Sequence, residues 1–126
     1  CTCRRQRQMC IRDRNNIKDD DIILDIGPKT LDKIKRIIEN SETVLWNGPA
    51  GYFENPNFAN GSYNIAKAIT KKNKNNSIYS VVGGGDTIAL INKIKLIENF
   101  NFVSTAGGAF LEYLEGKELP GIKALN

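Results

Sequence analysis

Short apolar runs alternate with segments of helical periodicity from about residue 20 onward, and most of these runs are followed by a loop that contains glycine. The apolar runs lie at residues 22–26, 43–46, 78–82 and 101–103. Between them, apolar residues recur every three or four positions, which is the spacing of one face of a helix. Strands separated by helices pair in parallel, because each helix returns the chain to the same edge of the sheet. The pattern predicts an α/β fold, a parallel sheet covered by helices.

The helical segments are predicted to bury one apolar face each. The residues expected to point inward are Leu31, Ile34, Ile37 and Ile38 in the first helix, Ile65, Ala66 and Ile69 in the second, Ile88, Ile91 and Ile94 in the third, and Phe110, Leu111 and Leu114 in the fourth. Gly116 and Pro120 are expected to end the fourth helix. The polar run 71–76 is interpreted as a solvated turn.

The third apolar run leads into residues 81–87 (VVGGGDT), which resemble a phosphate-binding loop. Glycines let the backbone approach an anion, and the first amides of the next helix have no intrahelical partner. Asp86 adds a carboxylate that can bind a metal ion, and Thr87 adds a hydroxyl. The alternative is that Asp86 is only the N-cap of the helix. A second glycine loop at 105–108 also opens a helix, and two such helix ends facing one cleft favour phosphate binding.

The second apolar run leads into residues 46–54 (WNGPAGYFE), which combine an amide, aromatic side chains and a carboxylate. A nucleotide needs all three kinds of contact, with Glu54 accepting from ribose hydroxyls and Asn47 reaching phosphate oxygens. The residues alone leave a structural alternative open, in which Asn47 caps a turn, Phe53 fills the core and Glu54 is solvated. In open α/β sheets, ligands bind beyond the carboxyl ends of the strands, where these loops converge.

The first 14 residues differ sharply in composition from the rest of the chain. They hold all three cysteines and much of the basic excess that gives the 126-residue chain its net charge of +4. With no histidine in the chain, a four-ligand zinc site would need a carboxylate beside the three cysteines, so the sequence does not favour zinc. We interpret 1–14 as a foreign or disordered basic segment rather than a nucleic-acid arm, and place the break near Asn15. No apolar run approaches the roughly 20 residues of a membrane helix, and no secretory signal is recognisable.

Taken in order, six segments resemble the phosphoglycerate kinase family. They are residues 25–28 (DIGP), 44–51 (VLWNGPAG), 53–54 (FE), 82–87 (VGGGDT), 104–109 (STAGGA) and 111–121 (LEYLEGKELPG). The resemblance implies that residues 15–126 are the C-terminal portion of the family's nucleotide-binding domain. The implied fold is a Rossmann-like three-layer parallel sheet with helices on both faces, present as an incomplete C-terminal domain.

The resemblance also implies a function and its residues. The family transfers the acyl phosphate of 1,3-bisphosphoglycerate to MgADP, giving ATP and 3-phosphoglycerate in glycolysis. Glu54 would bind the ribose, and Asp86 would hold Mg²⁺. The other implied nucleotide-binding residues are Gly27, Asn47, Gly48, Pro49, Tyr52, Gly84, Gly85 and Thr87. Gly107 and Gly108 are the implied catalytic residues, aiming a helix N-terminus at the transferring phosphoryl group. The implied partners are ADP or ATP and phosphoglycerate, in a cytoplasmic enzyme that is a monomer at full length, with no nucleic-acid or membrane partner.

Two residues depart from the family pattern, and parts of the family's machinery have no counterpart. Ala106 replaces the first of three glycines, and Tyr52 replaces a smaller aliphatic residue. The family's phosphate-gripping lysines and its phosphoglycerate-binding domain have no matching segment here. Phosphoryl transfer requires two domains to close on both substrates, so we expect this chain to be inactive, with an open apolar sheet face. A nucleotide-binding module without catalysis and a basic-tailed nucleic-acid binder are the two alternatives.

Overall fold

A computed structural model describes residues 2–4, 11–12 and 19–125 of the chain. The described part has the expected α/β architecture, with helices and a parallel sheet. This sheet has three strands, because the run at residues 22–26, which the sequence predicts to join it, pairs in a separate antiparallel sheet. The strands are β1 (Thr2–Arg4), β2 (Ile11–Arg12), β3 (Ile22–Asp25), β4 (Thr43–Asn47), β5 (Tyr79–Gly83) and β6 (Phe102–Ser104). The helices are α1 (Pro28–Glu39), α2 (Asn60–Asn73), α3 (Gly85–Lys93), α4 (Gly108–Leu114) and α5 (Pro120–Leu125). Two short 3₁₀ helices lie at Pro56–Phe58 and Ile97–Asn99.

The strands form two separate sheets. β4, β5 and β6 pair in parallel in that order, so the chain moves one strand along the sheet with each crossover helix. β1 pairs antiparallel with both β2 and β3. Only Thr2–Arg4 and Ile11–Arg12 of the first 14 residues are described, so the prediction of a foreign or disordered segment at 1–14 falls mostly outside the described residues.

The parallel sheet has one buried face and one open face. Trp46, Val82 and Val103 are aligned across the three strands and pack in the core with the α2 residues Ala66 and Ile69. On the opposite face of the sheet, Leu45, Val81 and Phe102 are aligned across the same three strands. Leu45 is 45% exposed and Phe102 51% exposed, as is expected of a sheet face that nothing in the described part of the chain fully covers.

The inward faces of three helices differ from the prediction. In α1, Leu31 and Ile38 are buried, whereas Ile37 is 58% exposed. Successive helical residues point about 100° apart, so a face centred on Leu31 and Ile38 turns Ile37 toward solvent. In α4 no residue is buried, and Leu114 is 53% exposed. α3 instead buries Leu90 fully beside Ile91.

The interpretation of residues 71–76 as a solvated turn is wrong for the first part of that run. α2 continues to Asn73, and the Lys72 ammonium group donates hydrogen bonds to the carbonyl oxygens of Ile38, Glu39 and Ser41. The last carbonyls of a helix have no intrahelical donor, and a cation there also offsets the negative end of the helix dipole. Lys72 therefore caps the C-terminus of α1 from the neighbouring helix. No helix among the described residues is long and apolar enough to cross a membrane.

Candidate nucleotide-binding site

The ends of β4, β5 and β6 form a row at one edge of the parallel sheet. Asn47 is aligned with Gly83, and Gly83 with Ser104. A Cβ atom built on Gly83 would lie 3.0 Å from Asn47 Oδ1 and 3.7 Å from Ser104 Cβ, so the three chain ends are in close contact. The loops that follow the three strands therefore start from one place, as the sequence predicts.

Gly84 has the backbone conformation that a glycine loop requires. Its φ is +88°, and α3 begins at the next residue, Gly85. The helix N-cap is Gly84, so Asp86 lies in the first turn, and no side chain caps the helix. The alternative in which Asp86 is simply the N-cap is therefore wrong. The first amides of α3 are open toward the edge where the loops begin, which suits an anion.

Asp86 and Thr87 are neighbours with different environments. The Asp86 side chain is exposed, and within the described part of the chain its carboxylate has no hydrogen-bond or ion-pair partner. Thr87 is fully buried, and its Oγ1 accepts a hydrogen bond of 2.7 Å from the backbone N–H of Gly48. The Asp86 carboxylate is thus available to a ligand, while the Thr87 hydroxyl joins the loop after β4 to the start of α3.

The loop after β4 is held by hydrogen bonds along most of its backbone. The carbonyl oxygen of Gly48 accepts from Trp46 Nε1 at 2.8 Å, and the N–H of Ala50 donates to Ser62 Oγ at 2.9 Å. The N–H of Tyr52 donates to the carbonyl oxygen of Leu24 at 2.8 Å. With these backbone groups occupied, this loop has mainly its side chains left to offer a ligand.

The side chains of this loop divide between core and solvent. Phe53 is buried in the core, as the structural alternative expects, whereas Glu54 is exposed and Tyr52 is 52% exposed with its ring 6.4 Å from that of Phe58. Asn47 is exposed, Gly48 and Pro49 are half-buried, and Gly27 is buried just before α1. Asn47, Tyr52 and Glu54 therefore present the polar and aromatic groups that the sequence analysis assigns to a nucleotide.

The second glycine loop opens α4. Gly107 has a φ of +58° and is the N-cap, with no side-chain cap, and Gly108 is exposed. A Cβ on either glycine would meet nothing within 4 Å, so the surroundings of this loop are open. The backbone N–H of Ala106 donates to Ser104 Oγ at 3.4 Å.

The described residues include no group of three or more potential metal ligands. Mg²⁺ in nucleotide sites is commonly held by one or two carboxylates, with waters and phosphate oxygens completing the octahedron. A single exposed carboxylate beside an open helix N-terminus fits that arrangement, and it does not fit a metal site built from protein ligands alone.

A groove of about 460 Å³ lies elsewhere, between the C-terminal halves of α1 and α2. Its lining includes Lys35, Lys67, Lys71 and Lys72 together with Glu39. Two helices end at this groove, and lysines near helix C-termini offset the negative dipole ends there. We therefore attribute its basic lining to helix stabilisation and not to the chemistry of the glycine loops.

Asp25 is the residue that the sequence analysis missed. It is buried, and its carboxylate accepts hydrogen bonds from the N–H groups of Ile26, at 2.8 Å, and Gly61, at 3.0 Å. Gly61 lies in the first turn of α2, whose N-cap Ala59 has no capping side chain of its own. The signal available in the sequence was a carboxylate inside the apolar run 22–26, where burial without partners would be costly.

The fold and the site together define the class of protein: it is an α/β protein whose glycine loops meet at the carboxyl edge of a parallel sheet. This arrangement is typical of proteins that bind phosphate-containing ligands. The sequence model of the family described as phosphoglycerate kinase matches residues 2–117. The chain belongs to the phosphoglycerate kinase family.

Individual relatives support the same assignment. The chain is 53% identical over 103 residues to the phosphoglycerate kinase of Orientia tsutsugamushi strain Ikeda, covering 82% of this chain and 25% of that protein. It is 45% identical over 121 residues to that of Buchnera aphidicola, covering 96% of this chain and 30% of that protein. The solved phosphoglycerate kinase of Coxiella burnetii superposes with a TM-score of 0.82 at 40% identity, over 94% of this chain and 30% of that one. The chain thus spans about a quarter to a third of the length of these relatives.

Proposed function

We propose that this chain carries part of the nucleotide site of a phosphoglycerate kinase and binds MgADP or MgATP through the loops after β4 and β5. The observation that carries the proposal is the start of α3. There an uncapped helix N-terminus follows Gly84, beside the exposed carboxylate of Asp86. Such an end favours a phosphate group through both its free amides and its dipole.

The proposed roles are those that the resemblance to the phosphoglycerate kinase family implies. Gly84 and Gly85 would offer the amides at the start of α3 to the nucleotide phosphates, and Asp86 would hold Mg²⁺. Thr87, which is fully buried, would act through its hydrogen bond to Gly48. Bound there, Mg²⁺ would neutralise phosphate charge. Asn47, Gly48, Pro49 and Tyr52 would line the nucleotide with Gly27, and Glu54 would accept hydrogen bonds from the ribose.

In the whole enzyme, the proposed reaction transfers the acyl phosphoryl group of 1,3-bisphosphoglycerate to ADP. A bond forms between the phosphorus and the terminal phosphate oxygen of ADP, the bond from phosphorus to the acyl oxygen breaks, and the carboxylate of 3-phosphoglycerate leaves. Gly107 and Gly108 would contribute backbone N–H groups near the phosphoryl group that is transferred. This chemistry depends mainly on positioning and charge neutralisation.

We further propose that the 126-residue chain by itself does not catalyse the reaction. The relatives are three to four times longer, and closure of a second domain over both substrates is a common requirement of phosphoryl transfer. A coupled assay that detects ATP formed from 1,3-bisphosphoglycerate and MgADP tests this point. ATP above a blank without protein would contradict it. A cytoplasmic location and a monomeric full-length enzyme remain part of the proposal.

Nucleotide binding is tested by titrating the chain with MgADP in a calorimeter. Asp86→Asn removes the exposed carboxylate with little change of shape, and it is expected to weaken MgADP binding much more than binding of ADP without Mg²⁺. Glu98→Gln removes an equal charge from an exposed position on a 3₁₀ helix, and is the matched control. Equal affinities for the two variants in the presence of Mg²⁺ would contradict the role proposed for Asp86.

A further inference from the structure

Asp25 is a buried carboxylate that connects three segments distant in sequence. It ends β3, and its Oδ2 accepts from Gly61 N–H in the first turn of α2, 36 residues away. The same strand end holds the loop after β4 through the hydrogen bond from Tyr52 N–H to the carbonyl oxygen of Leu24. The end of β3 therefore contacts both the loop after β4, at Tyr52, and the start of α2, at Gly61.

Two glycines of that segment pack directly against Asp25. A Cβ built on Gly51 would lie 2.7 Å from Asp25 Oδ1 and 2.6 Å from the carbonyl oxygen of Leu24. A Cβ built on Gly61 would overlap the same carboxylate oxygen. Only a residue without a side chain allows either backbone to approach so closely, so the packing between Asp25 and the loop leaves no room for adjustment.

The carboxylate also supplies what α2 lacks locally. The N-cap of α2 is Ala59, whose side chain offers no acceptor, while the amides of the first helical turn require one. An ionised carboxylate at this position gains from the charge-assisted hydrogen bond and from the positive end of the helix dipole. These contacts offset the cost of burying Asp25, and they close the N-terminus of α2 to an outside anion while that of α3 remains open.

We propose that Asp25 is a positioning residue, which fixes the loop of residues 48–54 and so places Tyr52 and Glu54 for the nucleotide. Asp25 does not itself touch the ligand, because its carboxylate is buried and occupied by the amides of Ile26 and Gly61. The contacts of Asp25 with Gly51 and Gly61 support its role in placing the loop. The consequence for the nucleotide rests on the proposed function.

The test compares two substitutions at Asp25 with a control in the core. Asp25→Ala removes both carboxylate oxygens that accept from Ile26 and Gly61. Asp25→Asn keeps one side-chain oxygen, which can accept from one of these amides, so it is expected to disturb the loop less than Asp25→Ala does. Ser80→Ala is the control, because Ser80 is fully buried and exchanges hydrogen bonds with Asn101 at 3.0 and 3.2 Å, away from the loop. It is expected to lower stability comparably without disturbing residues 48–54.

The first readout is amide hydrogen exchange measured residue by residue in the full chain without ligand. Asp25→Ala is expected to speed exchange at Gly61 by about tenfold or more relative to Ser80→Ala, because Gly61 loses one hydrogen bond to a charged group. Exchange at Tyr52, whose acceptor is the carbonyl oxygen of Leu24, is expected to rise as well, because the neighbouring Gly51 loses its packing against the carboxylate. Asp25→Asn should lie between the two. Equal exchange at these amides in Asp25→Ala and Ser80→Ala would overturn the positioning role, and so would global unfolding of both Asp25 variants.

The second readout is MgADP affinity, with a Kd for Asp25→Ala expected to rise by about tenfold over that of Ser80→Ala. If exchange responds as expected and the wild-type chain binds no MgADP, the loop is positioned by Asp25 and the proposed function fails instead. If the wild-type chain binds MgADP and the Asp25 variants bind it as tightly as Ser80→Ala does, the positioning role fails.

Discussion

The backbone N–H of Gly48 donates a 2.7 Å hydrogen bond to the buried hydroxyl of Thr87. Gly48 belongs to the loop after β4, and Thr87 to the first turn of α3, the helix that follows β5. This bond therefore ties together two loops that the sequence analysis assigns to one nucleotide. The motif GGGDT thus supplies a connection within the protein as well as groups for a ligand.

Replacing Thr87 by valine keeps the shape of the side chain and removes its hydroxyl. The N–H of Gly48 then lacks its partner, so we expect the free energy of unfolding to fall by about 1–3 kcal/mol. Thr87→Ser keeps the hydroxyl and is the control, with a smaller loss from the missing methyl group. Urea denaturation of the two variants measures the difference. Equal stability of the valine and serine variants would show that the bond to Gly48 contributes nothing.

Gly84 and Gly85 give a matched pair for testing the glycine loop. Gly84 has a φ of +88°, and a Cβ there would lie 3.2 Å from Asn47 Oδ1, whereas a Cβ on Gly85 would meet nothing within 4 Å. We expect Gly84→Ala to lower the free energy of unfolding by about 1–2 kcal/mol, because left-handed backbone is strained for alanine. Gly85→Ala lies in a helical turn and should be neutral or slightly stabilising. Thermal unfolding measures the difference, and equal melting temperatures of the two variants would contradict this explanation.

Lys72 is expected to stabilise the end of α1 through its three bonds to carbonyl oxygens. Lys72→Met keeps most of the aliphatic stem and removes the ammonium group, so we expect a loss of about 1–2 kcal/mol in the free energy of unfolding. Lys71→Met is the control, since Lys71 is exposed in the same turn of α2. A chemical denaturation series should separate the two variants, and equal losses would indicate a general charge effect.

The order of strands and helices and the position of the glycine loops could be predicted from sequence, because periodicity and glycine are local signals. The contacts that join these loops could not be. The hydrogen bond between Gly48 and Thr87 joins residues 39 positions apart in the sequence, and the one between Asp25 and Gly61 joins residues 36 positions apart. No local sequence pattern predicts such pairs. The prediction for Ile37 failed because helical spacing alone does not say which of two adjacent isoleucines faces α2.

The open face of the parallel sheet predicts how the chain behaves at high concentration. Leu45, Val81 and Phe102 are aligned across β4, β5 and β6, and Tyr79 on the same face is 52% exposed. Exposed apolar patches of this kind promote association. Phe102→Thr keeps a residue suited to a strand while removing the ring, so we expect it to reduce self-association in sedimentation experiments at equal concentration. Tyr113→Thr removes a 58% exposed aromatic residue from α4 and should leave self-association unchanged. An equal decrease in both variants would mean that general surface hydrophobicity, rather than this sheet face, drives association.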